Sequence, residues 1–375
     1  MIILYISKIL GKPWAGPTYS VPKQICYQSL LDNVFWYNLV DDAHEIGTDV
    51  RREWKKLPCY HDLTDFKTKE IFKLPEPFNK PDLIVLEQGY PFAFESVRKE
   101  ITKRKIPYII VPRGELTKDA QNKKRIKKCL GNLFIRWRSF TKKALAIQYL
   151  SKNESDTSGR KWNDQSIIIP NGVVLPTNLK KEFSSSGNIT LTFIGRIEVF
   201  HKGLDLLLDA FSIIKSELLE KRCRLNIYGP QKSEDVKHLN ELIIKYGLDS
   251  FVFLYDGVYG DAKSNVYEQT DVFILTSRFE GQPTALLEAL SFGVPCFVTK
   301  GTNMGQDVES YDAGWCAKNS VESIKNTLLL MINQASLFKK KGTNARLLAT
   351  KYSWNSVAER SHKIYFDLLN EKKHK

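Results

Sequence analysis

The sequence predicts an α/β protein built from two doubly wound domains, each a parallel sheet with helices on both faces. Three observations carry that expectation. The chain has 375 residues, more than one ordinary hydrophobic core sustains. Short apolar runs alternate with amphipathic segments in both halves. The runs are continuous rather than alternating with polar residues, as parallel strands buried on both faces require.

Taken in order, the strand candidates of the first half are "IILYIS" (2–7), "LIVLEQ" (83–88), "YIIVP" (108–112), "AIQYLS" (146–151) and "SIIIP" (166–170). Those of the second are "ITLTFIG" (189–195), "RLNIYG" (224–229), "FVFLY" (251–255), "VFILTS" (272–277) and "CFVTK" (296–300). Between the halves "PTNLKKEFSSSGN" (176–188) is polar, Ser-rich and aperiodic, and reads as a linker. The predicted domains are residues 1–180 and 181–355. The closing "SVAERSHKIYFDLLN" (356–370) has helical spacing and no strand after it. A helix over 356–375 is expected to pack back on the first domain.

Composition excludes several classes. A hydrophobic fraction of 42% with 26% charged residues belongs to a globular protein. No apolar run approaches the roughly 18–20 residues that cross a bilayer. "MIILYISKIL" is interrupted by Lys8 and lacks a small-residue cleavage site, so it reads as a first strand rather than a signal peptide. Cys26, Cys59, Cys129, Cys223, Cys296 and Cys316 are scattered, with no C-x-x-C, which argues against a zinc site and for a reducing compartment, the cytoplasm.

The net charge of +14 is unevenly spread. Residues 1–180 hold 31 Lys+Arg against 19 Asp+Glu, a balance of +12, and residues 181–375 hold 25 against 23. The excess peaks in "KKRIKKCLGNLFIRWRSFTKK" (123–143), where cations are interspersed with Ile126, Leu130, Phe134 and Trp137. That pattern fits a basic amphipathic helix on an anionic membrane surface, and equally a solvated helix face. Nucleic acid is disfavoured because none of its usual recognition motifs accompanies the cluster.

The chemistry gathers where predicted strands end. "RFEGQPTALLEAL" (278–290) leaves the carboxyl end of "VFILTS", the edge at which open α/β sheets bind ligands. Pro283 and Thr284 suit the start of a helix and Gly293 its end. Glu280 then stands before the helix and Glu288 just over one turn inside it. Free N–H groups at a helix start hold phosphate, while carboxylates hold hydroxyls, and together these describe a nucleotide sugar. In "FIGRIEVFHKGLDLLLDA" (193–210), Gly195 ends a strand, and Arg196 and Lys202 bring two cations suited to a diphosphate. "IYGP" (227–230) ends another strand at Gly229 and Pro230, and "GKPWAGPTYS" (11–20) is a Gly/Pro loop containing Gly16. The latter is not a G-x-G-x-x-G fingerprint, which leaves a dehydrogenase unsupported. Singly, each feature has an ordinary alternative: a favourable acid near a helix start, a solvated cation, a plain turn.

In sequence, G-R-x5-K-G, then Y-G-P, then S-R-F-E-G-x-P-x-x-L-L-E-A resembles the C-terminal donor-binding domain of family 4 glycosyltransferases (group 1), retaining enzymes of the GT-B fold. "IPNGV" (169–173) and the closing "YSWNSVAERSHKIYFDLL" are similar to landmarks of that family, and the first half resembles it more loosely. The resemblance implies two Rossmann-like domains with an interdomain cleft. It implies that Arg196 and Lys202 hold the donor diphosphate, that Glu288 holds the ribose hydroxyls and that Glu280 contacts the sugar at the reacting face. The backbone of Gly281, Gln282, Pro283, Thr284 and Ala285, with Gly195, would lie along sugar and phosphates, Gly229 and Pro230 near the nucleoside, and Gly16 near the phosphate. One departure stands out: many relatives carry an active-site His where this chain has "VPRGEL", with Arg113 and Glu115 nearby.

The expectation is a retaining hexosyltransferase that takes a nucleotide diphosphate sugar as donor, with no resident cofactor and no metal, there being no D-x-D motif. Its acceptor would be a glycan, lipid-linked because the basic first half suits the cytoplasmic face of a membrane, and the family resemblance implies bacterial surface polysaccharide synthesis. A nucleotide-sugar epimerase and a non-enzymatic glycan- or lipid-binding protein on the same architecture are the alternatives.

Overall fold

A computed structural model describes residues 1–12, 15–41, 47–87, 94–122, 137–185, 187–231 and 233–373. The chain divides into two compact units, Met1–Gly172 together with Trp354–Lys375, and Val173–Ser353.

The first unit is organised on β1 (Ile2–Ser7), β2 (Asn33–Asn38), β3 (Tyr60–Asp62), β4 (Leu83–Glu87), β5 (Tyr108–Val111), β6 (Ala146–Tyr149) and β7 (Ser166–Ile168). They pair in the order β3-β2-β1-β4-β5-β6-β7, all in parallel. Side chains alternate between faces along each strand, so this register sorts the apolar residues into two layers. Leu4, Ile6, Phe35, Ile84, Leu86 and Ile110 build the core on one face. Ile3, Tyr5, Trp36, Val85 and Ile109 face the other way.

That second layer is closed by two helices. Pro17–Gln28 contributes Val21 and Ile25, and Trp354–Lys373 contributes Trp354, Val357, Tyr365 and Leu368. The terminal helix thus belongs to the first unit, and the buried Tyr365 hydroxyl donates to Gln148 Oε1 at 2.6 Å.

The second unit carries β8 (Thr190–Ile194), β9 (Arg224–Tyr228), β10 (Val252–Tyr255), β11 (Val272–Leu275), β12 (Cys296–Thr299) and β13 (Gly314–Ala317). Their order is β10-β9-β8-β11-β12-β13, again parallel throughout. Leu191, Phe193, Leu225, Ile227, Phe273 and Phe297 join helix residues such as Leu207, Phe211, Leu286 and Leu290 in its core.

The structure differs from the sequence reading in three places. β2, β3 and β13 were not foreseen: "NVFWYN" is bounded by Asn, "YHD" is half polar, and "GWCA" contains little that is branched. Residues 176–188, read as a linker, lie within the second unit. The Lys180 N–H donates to Phe292 O at 3.0 Å, its ammonium pairs with Asp271 at 3.3 Å, and Phe183 packs on the core. Thr177, Asn178, Lys181, Glu182 and Asn188 are exposed, so the segment is polar where it meets solvent while Lys180 and Phe183 tie it down, and the units part at Gly172–Val173. Third, residues 123–136 of the basic stretch lie outside the described residues. Its remainder forms the helix Trp137–Lys143, whose Trp137 and Phe140 are buried in the first core while Arg138, Lys142 and Lys143 are exposed.

Removing the indole of Trp354, a buried large-to-small change, is expected to destabilise the protein by about 3–5 kcal/mol. Urea denaturation of Trp354→Ala followed by circular dichroism measures this. A wild-type midpoint would mean that the terminal helix contributes nothing to the first core.

Candidate active site

In the second sheet the strand order reverses between β8 and β11, so the chain leaves these two neighbours toward opposite sides and opens a crevice at their carboxyl ends. β8 runs into Gly195 and Arg196 and then the short helix Val199–Lys202. β11 runs into Thr276–Glu280 and then the helix Thr284–Ser291.

The two emerging segments are joined along their length. Thr276 Oγ1 lies 3.0 Å from the carbonyls of both Lys202 and Gly203. The Arg278 N–H donates to His201 O at 2.9 Å. The Arg278 guanidinium forks onto Asp205 at 2.7 and 2.8 Å and donates to Phe200 O at 2.6 Å. Gly203 permits this closeness: its φ is +61°, and a Cβ there would stand 2.2 Å from Thr276 O.

Two carboxylates are anchored at this edge by the same device. Lys202 Nζ and Ser277 Oγ both donate to Glu280 Oε1, at 2.7 and 2.6 Å, while Oε2 has no partner among the described residues. The pair is largely enclosed, with the Lys202 side chain 13% and the Glu280 side chain 10% exposed. Glu288 is held likewise by an ammonium and a hydroxyl on one oxygen. Lys263 pairs with its Oε2 and Tyr267 OH donates to that atom at 3.0 Å, leaving Oε1 without a partner among the described residues. Burial and the neighbouring Glu288 charge push the Tyr267 phenol well above its ordinary value, which keeps it a donor. Each carboxylate therefore has a fixed orientation and a vacant acceptor oxygen.

Other residues singled out from the sequence divide among three situations. Arg196 is mostly exposed and its guanidinium reaches Glu198 at 2.7 Å rather than the Lys202–Glu280 pair. Burial raises the Glu198 carboxyl, but His201, Arg196 and Lys202 outweigh it and hold the group below the usual carboxylate range. The helix Thr284–Ser291 begins at Pro283 with no side-chain cap, so its first N–H groups are open to an anion, and Gly281 ahead of it is exposed with nothing within 4 Å of a would-be Cβ. Gly195 and Gly229 instead approach each other: a Cβ on Gly229 would stand 2.3 Å from Gly195 O and 2.8 Å from Ile197. Their lack of side chains serves the meeting of two strand ends. Pro230 beside them is exposed. Gly16 belongs to the first unit, where it is exposed and precedes the helix Pro17–Gln28.

Lys263, Tyr267, Ser277 and His201 escaped the sequence reading as partners of these groups. Lys263 and Tyr267 are four apart on the helix Gly260–Gln269, hence on one face of it, but only the fold shows that this face meets Glu288. In the first unit the "VPRGEL" turn places Arg113 inward, at a φ of +46°. Its Nε donates to the buried Glu87 at 2.7 Å and its Nη2 to Gln24 at 3.0 Å. Gly114 N–H donates to Glu154, whose carboxyl burial pushes upward. The turn is thus clamped by two glutamates, and the Arg113 charge is consumed internally.

Residues 176–348 match the family model described as glycosyl transferases group 1, a span that takes in nearly all of the second unit. An uncharacterized glycosyltransferase of Haemophilus influenzae is 25% identical over 196 residues, 52% of each chain. The N,N'-diacetylbacillosaminyl-diphospho-undecaprenol alpha-1,3-N-acetylgalactosaminyltransferase of Campylobacter jejuni is 28% identical over 122 residues, 31% of this chain and 32% of that one. The chain therefore spans about half, or less, of the length of these curated relatives. Among solved structures, Anabaena HepE in complex with UDP has a TM-score of 0.71 at 16% identity, covering 98% of this chain and all of that one, a likeness of fold. The chain thus has the GT-B fold, and residues 176–348 of its second unit are similar to the group 1 glycosyl transferases.

Proposed function

We propose that this chain is a glycosyltransferase that takes a sugar from a nucleoside diphosphate donor and passes it to a hydroxyl with retention at the anomeric carbon. The observation that carries the reading is the pair of half-anchored carboxylates beside an uncapped helix start at the switch point of the second sheet. Lys202 spends one of its three N–H donors on Glu280 and has two for phosphate oxygens. Lys202, the helix N-terminus and Arg196 then stabilise the charge that grows on the diphosphate as the sugar leaves, the kind of preorganised electrostatics that lowers such barriers without a metal. Glu280 Oε2 takes a hydroxyl of the departing sugar, and Glu288 Oε1 a ribose hydroxyl. The exposed backbone at Gly281 lets donor and chain approach closely, and the strand ends at Gly229 and Pro230 lie on the nucleoside side.

The acceptor we propose is a lipid-linked glycan of bacterial surface polysaccharide synthesis, met at the cytoplasmic face of the membrane. Two things support it: the +12 balance of residues 1–180, and the lipid diphosphate in the name of the Campylobacter relative. Anionic lipid attracts such a balance, each cation near the surface contributing about 1 kcal/mol.

A screen of the purified protein against UDP-, GDP- and dTDP-sugars, reading binding and slow donor hydrolysis, tests the first proposal. With the donor so found, Lys202→Ala and Glu288→Ala are each expected to lower kcat/KM by about 100-fold or more, the scale of losing one preorganised charge-stabilising contact. Wild-type kinetics in either variant would remove that residue from the site. Lys263→Ala, which frees Glu288 to rotate, is expected to raise the donor KM about tenfold while kcat changes little. Sedimentation with vesicles at low salt tests the membrane contact, and equal binding to neutral and anionic lipid would dismiss it.

A further inference from the structure

His201 lies on the seam between the two segments that leave β8 and β11, and both of its ring nitrogens are engaged. Nδ1 is 2.6 Å from Glu198 Oε2 and Nε2 is 2.8 Å from the backbone oxygen of Phe279. A carboxylate and a backbone carbonyl can only accept. A neutral imidazole has a single N–H, so it would satisfy one of these oxygens and turn a lone pair on the other. The ring is also fixed from the side, stacked on Phe279 at 4.2 Å with an interplanar angle of 18°.

We propose that His201 is a positioning residue of the donor seat that works in its doubly protonated form, pinning the Phe279–Glu280 turn to Glu198 and adding a positive charge beside Lys202. The proposal rests on the donor-binding reading above and deepens it. The charged neighbours are accounted for in pairs. Glu198 faces the ring directly and also meets Arg196; Glu280 is matched by Lys202, and Asp205 by Arg278. Glu198 is therefore the carboxylate that bonds the imidazolium, and the carbonyl it fixes belongs to the residue just before Glu280. Loss of one ring proton breaks one of the two bonds and removes one positive charge from the edge where a diphosphate would sit. Donor affinity should then weaken when that proton is lost.

Two measurements on the full chain test this. Long-range nitrogen–proton correlation spectra of protein labelled in histidine report the protonation of each ring nitrogen, with His201→Phe assigning the signal. Both nitrogens protonated at neutral pH is the expected result, and a single neutral tautomer would overturn the proposal. Calorimetric titration with UDP, and with GDP in parallel, is then run from pH 6 to 8.5 on wild type and His201→Phe. The substitution keeps the stacked ring and removes both donors, while the nucleotide's own ionisation is common to the two proteins. The affinity ratio of wild type to variant is expected to fall about tenfold across that range. Parallel curves would refute the proposal. His201→Gln, which keeps one donor, is expected to bind with intermediate affinity and no such pH dependence, and it serves if the Phe variant does not fold. Double protonation with no nucleotide bound at any pH would overturn the donor reading and uphold the clamp.

Discussion

Strand direction is the constraint on which the second unit turns. Parallel strands deliver all their carboxyl ends to one edge, and the reversal of order between β8 and β11 leaves that edge open at a single place. Every group of the candidate site is placed by it. Lys202 arrives from one strand, Ser277 and Glu280 from the other, and their meeting requires the backbones to close to the distance that Gly203 allows. The sheet thus sets where the two segments meet, and the bonds of Thr276, Arg278 and His201 bind them into one body.

Charged groups this enclosed are costly to desolvate, and pairing compensates only when geometry is good. The arrangement here meets that condition without using up the carboxylates. Each is fixed through one oxygen by an ammonium and a hydroxyl, which confines its rotation, and the second oxygen keeps its acceptor capacity. A carboxylate held by both oxygens would be inert toward a ligand, and one held by none would have to be ordered on binding. The contrast with Arg113 is instructive. Its guanidinium is committed in several directions within the first unit, so its charge organises the turn after β5 rather than an outside ligand.

Much of this was legible in the sequence because buried parallel strands have an unmistakable pattern. All ten apolar runs became strands, and those missed are the ones whose burial comes from aromatic or small residues instead of branched ones. The site was legible as a set of residue types at strand ends. What the sequence could not convey is which acid meets which distant base: Glu280 takes Lys202, but Glu288 takes Lys263. Pairing of this kind depends on helix rotation and on which faces meet, and no local spacing encodes it. The same limit explains residues 176–188, whose polar look conceals a partly buried ion pair with Asp271.

The return of the terminal helix to the first unit has a further consequence. The chain passes from the first unit to the second at Gly172–Val173 and back at Ser353–Trp354, and within the second unit the two ends are held together, the Val173 N–H donating to Tyr352 O at 2.8 Å. Gly172 and Trp354 are likewise neighbours on the other side, where a Cβ on the glycine would stand 2.4 Å from the indole. The second unit is thus an insertion whose entry and exit coincide. Segments of that form are transplantable: the first unit needs only a splice between residues 172 and 354 to become a continuous chain, and the second can be exchanged as a cassette without disturbing its host's strand order.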